Sequence, residues 1–358
     1  MRKSANGGVD KMLTQRQQTI LHLIIQNYTD TGQPTGSKRL MEDGVEASSA
    51  TIRNEMKALE EAGLLLKTHS SSGRVPSMAG YRYYVDHLLK PSKVNQNEIK
   101  AIRHSFGKEF HEINEIIKQS ATILSNLTSY TALSLGPDVK ERKLTGFRIV
   151  PLNARQIIAI IVTDKGNAEN QVFSLPSSMD SSDLEKMVRI INEKLVGEPL
   201  MTVYHRLRTE IPMILHKYFQ TTEGIIDLFD DMLSHLFEEK VYVGGRMNLL
   251  DFEASQDVRQ FKSMYSFMKN AEELTQLLAP RDSAIQIRIG QELGNELLQN
   301  MSLIQASYDI EGHGQGTIAL LGPSSMPYSR MFGLMDAFRR ELAMTLADYY
   351  RTLDASSE

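Results

Sequence analysis

The first part of the chain alternates short amphipathic helical patterns with breaks rich in Gly, Pro and Ser. Apolar residues recur every three or four positions over residues 13–30, and the break TGQP at residues 31–34 precedes a second short helical pattern over residues 36–41. A third pattern begins after Ser48 or Ser49, because either hydroxyl can cap a helix. The spacing therefore predicts three helices within the first 63 residues.

The third helix is predicted to have one apolar and one polar side. Ile52, Met56 and Leu59 form the apolar stripe, and Gly63 can end the helix because glycine adopts the left-handed conformation without strain. The opposite side carries small or hydrogen-bond-donating residues: Ala50, Arg53, Asn54 and Lys57. The second and third helices have the order of a helix-turn-helix motif, whose later helix enters the major groove.

Two short strand patterns follow, separated by a small polar loop. Residues 64–67 can pair with residues 74–75 across a loop of sequence HSSSG. Hydroxyls, backbone amides and Arg are common contacts to phosphates and to the minor groove. A helix followed by such a hairpin is typical of a winged helix that reads duplex DNA, and a plain surface hairpin is the alternative for the loop alone.

These patterns define the candidate DNA-binding residues. Candidates for base edges lie on the third helix: Ser49, Ala50, Arg53, Asn54 and Lys57. Candidates for phosphate lie in the second helix and the hairpin: Ser37, Lys38, His69, Ser70, Ser71, Ser72, Gly73 and Arg74. Ser48 and Thr51, at the start of the third helix, complete the set. The helical spacing of Tyr81 and Tyr84 in the next helix favours packing over base stacking.

Beyond residue 90 the pattern changes to that of a mixed α and β body. A run KPSK at residues 90–93 resembles a linker, and helical spacing then persists over residues 97–127. Strand patterns cover residues 130–135, 143–150, 156–163, 168–175, 284–289, 303–310 and 316–321. Residues 177–240 have mostly helical patterns, and a final helix is predicted over residues 328–353. A sheet interrupted by a helical segment indicates an insertion.

Composition and charge narrow the class of protein. With 358 residues, 41% of them hydrophobic and 23% charged, the chain has the size and composition of a globular protein of two or three domains. Residues 1–90 have a net charge of +3 and the remainder −7, which suits a DNA-binding unit on an acidic body. The chain has no apolar run near the roughly 18 residues of a membrane span, and no cysteine, which fits a reducing cytoplasm.

The motifs of common enzymes are missing from the sequence. It contains no P-loop, no nucleophile elbow and no cluster of metal-ligand type, so we predict neither an enzyme nor a cofactor or metal site. The glycine-rich run GHGQG at residues 312–316 lies between two strand patterns, which favours a hairpin loop over a phosphate site.

Four runs in the N-terminal region resemble the HrcA family of bacterial heat-inducible transcription repressors. They are MLTQRQQTIL at 12–21, GQPTGSKRL at 32–40, SSATIRNEMKALEEAGLL at 48–65 and HSSSGRVPSMAGYRYYVDHLL at 69–89. The run LLGPSSMPYSR at 320–330 extends the resemblance to nearly the whole chain, apart from the first eleven residues.

The resemblance implies an α+β multidomain protein. The sequence of residues 1–11 itself predicts a disordered extension, and the resemblance implies a winged helix-turn-helix domain over 12–90 followed by a linker over 91–98. A GAF-like α/β domain is then expected over 99–175 and 246–353, interrupted by a mostly helical dimerisation domain at about 176–245. GAF domains often hold small ligands, so Gly290, Gln291 and Glu292, after a strand pattern, are a possible ligand pocket, with a structural loop as the favoured alternative.

The resemblance also implies a function. It implies a homodimer that binds an inverted-repeat operator, represses chaperone operons, is kept active by the GroEL chaperonin and loses activity on heat stress. The alternative hypothesis is a GAF-type regulator whose DNA binding is switched by a small molecule.

Overall fold

The computed structural model shows a chain of mixed helices and strands. It describes residues 12–68, 73–107, 112–137, 142–153, 155–164, 168–174, 181–215, 241–251, 258–279, 283–311 and 313–355. The predicted extension 1–11 and the hairpin residues His69, Ser70, Ser71 and Ser72 lie outside the described residues, as does the predicted helical stretch after residue 215.

The N-terminal unit contains three helices, a two-stranded hairpin and a fourth helix. Their bounds are α1 Gln15–Thr31, α2 Ser37–Glu42, α3 Ser49–Glu61, β1 Leu65–Lys67, β2 Arg74–Pro76 and α4 Met78–Tyr83, which continues as one π-helical turn, Tyr84–Leu88. The strands pair antiparallel with Leu66 opposite Val75. These elements confirm the predicted order of helices and strands.

Local side-chain chemistry fixes the helix ends. Thr14 and Gln17 form a capping box at α1, and Ser48 caps α3 by accepting a hydrogen bond from the Thr51 amide. Gly63 has a φ of +76°, so it ends α3 in the left-handed conformation predicted for it. Ser77 caps α4 and also donates to the Gly63 carbonyl at 2.6 Å.

The helical pattern over residues 97–127 forms two helices, so the prediction of one long helix is wrong. They are α5 Gln96–Ser105 and α6 Ile113–Thr128. The Gly107 amide bonds to the His104 carbonyl at 3.0 Å, which closes α5 with a tighter turn at a residue of poor helix propensity. The apolar spacing continues across the break because Ile102 and Ile116 are buried in the same core.

Five strands form an antiparallel sheet in the order β7-β3-β10-β9-β8. Their bounds are β3 Thr131–Leu135, β7 Val241–Gly244, β8 Ile285–Ile289, β9 Met301–Ile310 and β10 Gly314–Pro323. Gly314 pairs with Ile310, so the glycine-rich run is the hairpin predicted. Strand β3 pairs with β7, with Leu133 opposite Val243, although residues 136–240 separate them in sequence.

Helices cover both faces of this sheet. Ile304 and Tyr308 of β9 pack in the core with α6 and with α11, Tyr328–Ala355. Leu303, with Leu133 and Leu321, packs in a second core with α9, Val258–Phe267, and α10, Ala271–Leu277. Because the alternating side chains of β9 meet helices on both faces, nearly the whole strand is buried.

A second unit lies between β3 and β7 in sequence. It consists of a three-stranded antiparallel sheet in the order β4-β5-β6 and two helices: β4 Leu144–Asn153, β5 Gln156–Thr163, β6 Ala168–Ser174, α7 Ser181–Leu195 and α8 Leu200–Leu215. Phe147, Ile157 and Ile161 share one core with Met187 and Val203.

This shared core bears on where the insertion starts. The predicted boundary at residue 176 lies outside the described residues, in the segment between β6 and α7. The chain enters the unit beside its later part, since the Leu144 amide bonds to the Glu198 carbonyl at 3.0 Å and the Leu200 amide to the Arg142 carbonyl at 2.7 Å. Strand pairing and packing therefore place residues 144–174 with the inserted helices and not with the five-stranded sheet.

Candidate nucleic-acid interface

Helix α3 presents its polar side to solvent. Ile52 and Leu59 are fully buried and Met56 nearly so, and they pack α3 against α1 in the core of the N-terminal unit. The opposite side is exposed and carries the four residues singled out in the sequence: Ala50, Arg53, Asn54 and Lys57. Arg53 and Asn54 make no side-chain hydrogen bond or ion pair within the part of the chain that the structure describes, so their donors are available to a ligand.

Lys57 has a weak competing contact. Its ammonium group lies 3.6 Å from Glu61 on the same helix, and the two side chains are 71% and 66% exposed. An ion pair this exposed contributes little to stability, so Lys57 can leave Glu61 for a stronger anion at small cost.

Hydroxyl groups join the start of α3 to α2. Ser37 and Ser49 share a hydrogen bond of 2.9 Å between their Oγ atoms, and Ser37 is buried. Ser48 Oγ lies 2.9 Å from Thr51 Oγ1. Ser37, Ser48, Ser49 and Thr51 thus lie at one end of the two helices, where Ser37 holds the motif together while Ser48 remains exposed.

Lys38 and Arg39 project from α2 beside this end. Both side chains are exposed, and Arg39 pairs with Asp43 at 3.1 Å. Asp43 in turn accepts a 2.7 Å hydrogen bond from Asn27 of α1, so Arg39 belongs to a small polar network. Lys38 makes no ion pair with the described residues, which leaves its charge available to a phosphate.

Arg74 holds the hairpin against α3. Its Nε and Nη2 atoms each lie 2.7 Å from Glu60 Oε2, and its side chain is only 14% exposed. Its backbone bonds to Thr35 in both directions at 2.9 Å, which adds a third short segment to the hairpin. The predicted phosphate contact would require the ion pair with Glu60 to open.

Gly73 lies so close to Pro34 that a larger residue would not fit without a shift of the backbone. A Cβ atom at this position would lie 2.9 Å from the Cβ of Pro34, so the hairpin approaches the segment between α1 and α2. The backbone of the hairpin is thereby anchored at its base, next to the residues of the loop that lie outside the described part.

Two residues that the sequence did not single out order the polar side of α1. Arg16 lies 3.6 Å from Glu55 of α3, and Gln17 donates to the same carboxylate at 3.0 Å. Glu55 is thereby paired with α1, and among the described residues it makes no hydrogen bond or ion pair with Arg53 or Asn54. The separation of 38 residues between Gln17 and Glu55 leaves no local signal in the sequence.

The aromatic residues after the hairpin pack as predicted. Tyr81 and Tyr84 are buried, and their rings lie 5.9 and 6.5 Å from the ring of Tyr328. His22 of α1 lies 5.5 Å from Tyr84, and burial, with the nearby Lys90 charge, lowers the pKa of His22 below its ordinary value. This cluster joins the N-terminal unit to the start of α11.

Two of the three residues predicted as a possible ligand pocket, Gly290 and Glu292, have structural roles. Gly290 has a φ of +56°, and a Cβ there would lie 2.8 Å from the Gln299 carbonyl oxygen. Glu292 accepts the Ile289 amide at 3.0 Å and pairs with Arg82 of α4 at 3.1 Å. Glu292 lines a cleft of about 550 Å³ between α4 and β8, whereas Gly290 and Gln291 are not among the lining residues of that cleft.

Two kinds of feature are missing from the described residues. Among the described residues, no group of three or more His, Asp or Glu side chains is placed to hold a metal ion. None of the helices that the structure describes is both long and apolar enough to cross a bilayer.

The chain is similar to known proteins over almost its whole length. Residues 114–332 match the family described as HrcA protein C terminal domain. The chain is 71% identical to the heat-inducible transcription repressor HrcA of Enterococcus faecalis, over 96% of this chain and 99% of that protein, and 49% identical to that of Limosilactobacillus reuteri, over 95% and 99%. A crystal structure described as that of a hypothetical protein covers 94% of this chain and 99% of its own, with a TM-score of 0.62 and 21% identity, and shows a shared fold.

The exposed side of α3 carries available donors, and the hairpin and α4 connect this helix to a larger α and β body. Together with the similarity to these relatives, this arrangement defines the protein as a transcriptional repressor. More narrowly, the chain belongs to the HrcA family of heat-inducible transcription repressors. It is a negative regulator of heat-shock gene transcription.

Proposed function

We propose that the repressor reads an inverted-repeat operator as a homodimer, with one α3 helix in the major groove of each half-site. The observation that carries this proposal is the outward side of α3, where Arg53 and Asn54 have no competing partner among the described residues. Residues 12–90 then act as a winged helix-turn-helix domain. Lys38, Ser48, Thr51 and the loop after β1 face the phosphates, while Ser49, Ala50, Arg53, Asn54 and Lys57 face the bases.

The remaining chain is proposed to form two functional parts. The five-stranded sheet with its covering helices is the GAF-like domain, and residues from about 142 to 240 are the inserted dimerisation domain. Both assignments are supported by the pairing of β3 with β7 on either side of the insertion and by the separate core of the inserted unit.

The homodimer is supported by an apolar sheet face. One face of the β4-β5-β6 sheet packs on α7 and α8, and the other has no partner among the described residues. Val150, Ile158 and Val172 lie side by side on that face, with Val150 44% and Val172 52% exposed. Exposed apolar residues adjoining one another mark surfaces that associate. Val172→Asp is expected to give monomers in light scattering, whereas Lys186→Ala on the opposite side is expected to leave a dimer.

We further propose that a GroEL-type chaperonin keeps the repressor active in the cytoplasm and that heat relieves repression by occupying the chaperonin. Exposed apolar side chains away from that sheet face, such as Val196, Met213 and Met247, support this, because chaperonins bind exposed apolar surface. Operator binding by purified protein should increase when chaperonin is added. Equal binding with and without it would contradict the proposal.

Operator binding can be tested directly by filter titration. The duplexes are an inverted repeat from upstream of a chaperone operon of the same organism and a scrambled duplex of equal length, each at two salt concentrations. Arg53→Ala should weaken binding to the inverted repeat by about 1–3 kcal/mol if the guanidinium contacts a base edge. Binding to the scrambled duplex should change little, and equal weakening on both duplexes would show a contact to phosphate alone.

The second candidate function is a small-molecule-sensing regulator. It is favoured by a cleft of about 910 Å³ between α1 and the start of α11, with Lys90, Arg330 and His22 among its lining residues. A thermal-shift screen with nucleotides and amino acids tests this, because a ligand that binds the folded chain raises its melting temperature. A ligand that also changes operator affinity would establish this function.

A further inference from the structure

Arg82 joins the N-terminal unit to the five-stranded sheet. Its Nη1 atom donates to the Ile287 carbonyl at 2.8 Å and to Glu292 Oε2 at 3.1 Å, both in the β8 region. Its Nη2 and Nε atoms donate to Asp86 on its own helix at 2.7 and 3.1 Å. Asp86 thus orients the guanidinium, and the two contacts near β8 hold α4 on the body.

A second contact fastens the segment after α4 to helix α11. The Ser92 amide donates to the Ser329 carbonyl at 3.0 Å, and the Oγ atoms of Ser92 and Ser329 lie 2.9 Å apart. Ser329 Oγ donates its single proton to the Lys90 carbonyl, so Ser92 must be the donor between the two hydroxyls. Three hydrogen bonds therefore fix the backbone of a segment that its composition indicates to be a linker.

Gly333 makes this fastening possible. A Cβ atom on Gly333 would lie 2.0 Å from the Ser92 carbonyl oxygen, well inside van der Waals contact. The segment therefore lies directly on the backbone of α11, and a single methyl group at position 333 would push it away. The rings of Tyr81 and Tyr328 pack beside this contact and close the interface.

A fastened segment has consequences for how the two half-sites of a repeat are read. If residues 89–95 were free, they could span up to about 25 Å and let each N-terminal unit adjust independently. One base pair added between half-sites moves the second by about 3.4 Å along the DNA and rotates it by about 35°. Units fixed on the body cannot follow such a rotation.

We propose that Arg82 and Gly333 make the repressor discriminate between operator spacings, by fixing the orientation of the N-terminal unit on the body. This inference rests on the proposed binding of an inverted repeat by a homodimer. Neither residue contacts DNA in this proposal, since both act through the position of the whole unit. The spacing accepted is then set by the dimer of bodies.

The test measures affinity for repeats whose central spacer is lengthened or shortened by one and two base pairs. The proteins are the wild-type chain, Gly333→Ala and Arg82→Ala, with Met344→Ala and Arg351→Ala, at two exposed positions of α11, as controls. Gly333→Ala is the decisive variant, because alanine is a better helix former than glycine and should not weaken α11.

One added base pair should lower wild-type affinity about 100-fold, because the second half-site is lost and binding becomes univalent. Gly333→Ala should reduce that loss to about tenfold or less, with Arg82→Ala changing in the same direction and both controls resembling the wild type. Full wild-type discrimination by both variants would overturn the inference, as would tighter binding at every spacing, which would show that the interface inhibits DNA binding.

The same titrations distinguish a failure of the proposed function from a failure of this inference. A wild-type chain that binds the repeat no better than a scrambled duplex would overturn both the function and the inference. A wild-type chain that binds the repeat specifically but accepts all spacings equally would overturn only the inference.

Discussion

Replacing Arg74 by alanine separates a structural from a DNA-binding role of the hairpin. Arg74 was predicted to contact phosphate, yet its guanidinium lies against Glu60 with two nitrogen atoms 2.7 Å from the same oxygen. We expect Arg74→Ala to loosen the hairpin from α3, because the variant loses both of these contacts. The direct effect on DNA contacts is expected to be small.

The magnitude follows from the exposure of the pair. Fully exposed ion pairs contribute about 0–1 kcal/mol, whereas removing one partner of a buried pair costs about 3–5 kcal/mol. Arg74 is 14% and Glu60 31% exposed, so the pair lies between these limits, and we expect a loss of about 2 kcal/mol. That loss corresponds to a roughly 30-fold rise in local opening, at 1.4 kcal/mol per tenfold.

Hydrogen exchange of the full chain measures this opening directly. Amides of α3, β1 and β2 should exchange about 30-fold faster in Arg74→Ala, provided that they exchange by local opening. Glu60→Ala should accelerate the same amides. The control is Glu61→Ala, which removes the exposed pair with Lys57 on the same helix and should change exchange by less than about twofold.

The salt dependence of DNA binding tests the alternative, in which Arg74 contacts phosphate. A phosphate contact by Arg74 would make the slope of log K against log salt less steep by about 0.9 in Arg74→Ala. If that slope changed while exchange in α3 and the hairpin stayed at the wild-type rate, the structural reasoning would be refuted. Glu60→Ala would then bind DNA as well as the wild type or better.

Three further predictions concern the same unit. Ser48→Ala should lower stability by about 1 kcal/mol, measured as exchange in the first turn of α3, because the Thr51 amide loses its cap, whereas Ser48→Asp should retain protection. Lys38→Ala should reduce the salt slope by about one on specific and scrambled duplexes alike, and an unchanged slope would remove Lys38 from the interface. Burial lowers the pKa of His22 in the folded chain, so its stabilisation is complete above the ordinary value of 6.5 and is lost as the pH falls from 6.5 through the lowered pKa. The melting temperature should therefore drop more between about pH 7.5 and 5.5 in the wild type than in His22→Asn.

Local chemistry made the N-terminal unit predictable. The caps Thr14, Ser48 and Ser77 act on amides three residues away, and Gly63 ends α3 through its own backbone conformation. The exposed side of α3 follows from helical periodicity, so the available donors Arg53 and Asn54 were identified without tertiary information. Their contacts with bases remain predictions.

The division of the body was less predictable, because strand patterns do not state which strands pair. Residues 144–174 have the same β character as β3, yet they form a separate sheet and share a core with α7 and α8. The helical spacing over residues 97–127 likewise continued through a break at Gly107, since α5 and α6 bury their apolar sides in one core. In both cases the pattern of nearby residues left the arrangement of the elements open, and long-range packing decided it.

The sequence by itself determined the helices and strands of the N-terminal unit, the outward side of α3 and the family resemblance, because each depends on spacing within a few residues. Only the tertiary structure decided that Arg74 binds Glu60, that Arg82 of α4 binds Glu292 across 210 residues, and that Gly333 admits the Ser92 carbonyl. These contacts join side chains that sequence distance does not connect. They determine how the exposed helix is held on the body, and the proposed discrimination between operator spacings depends on them.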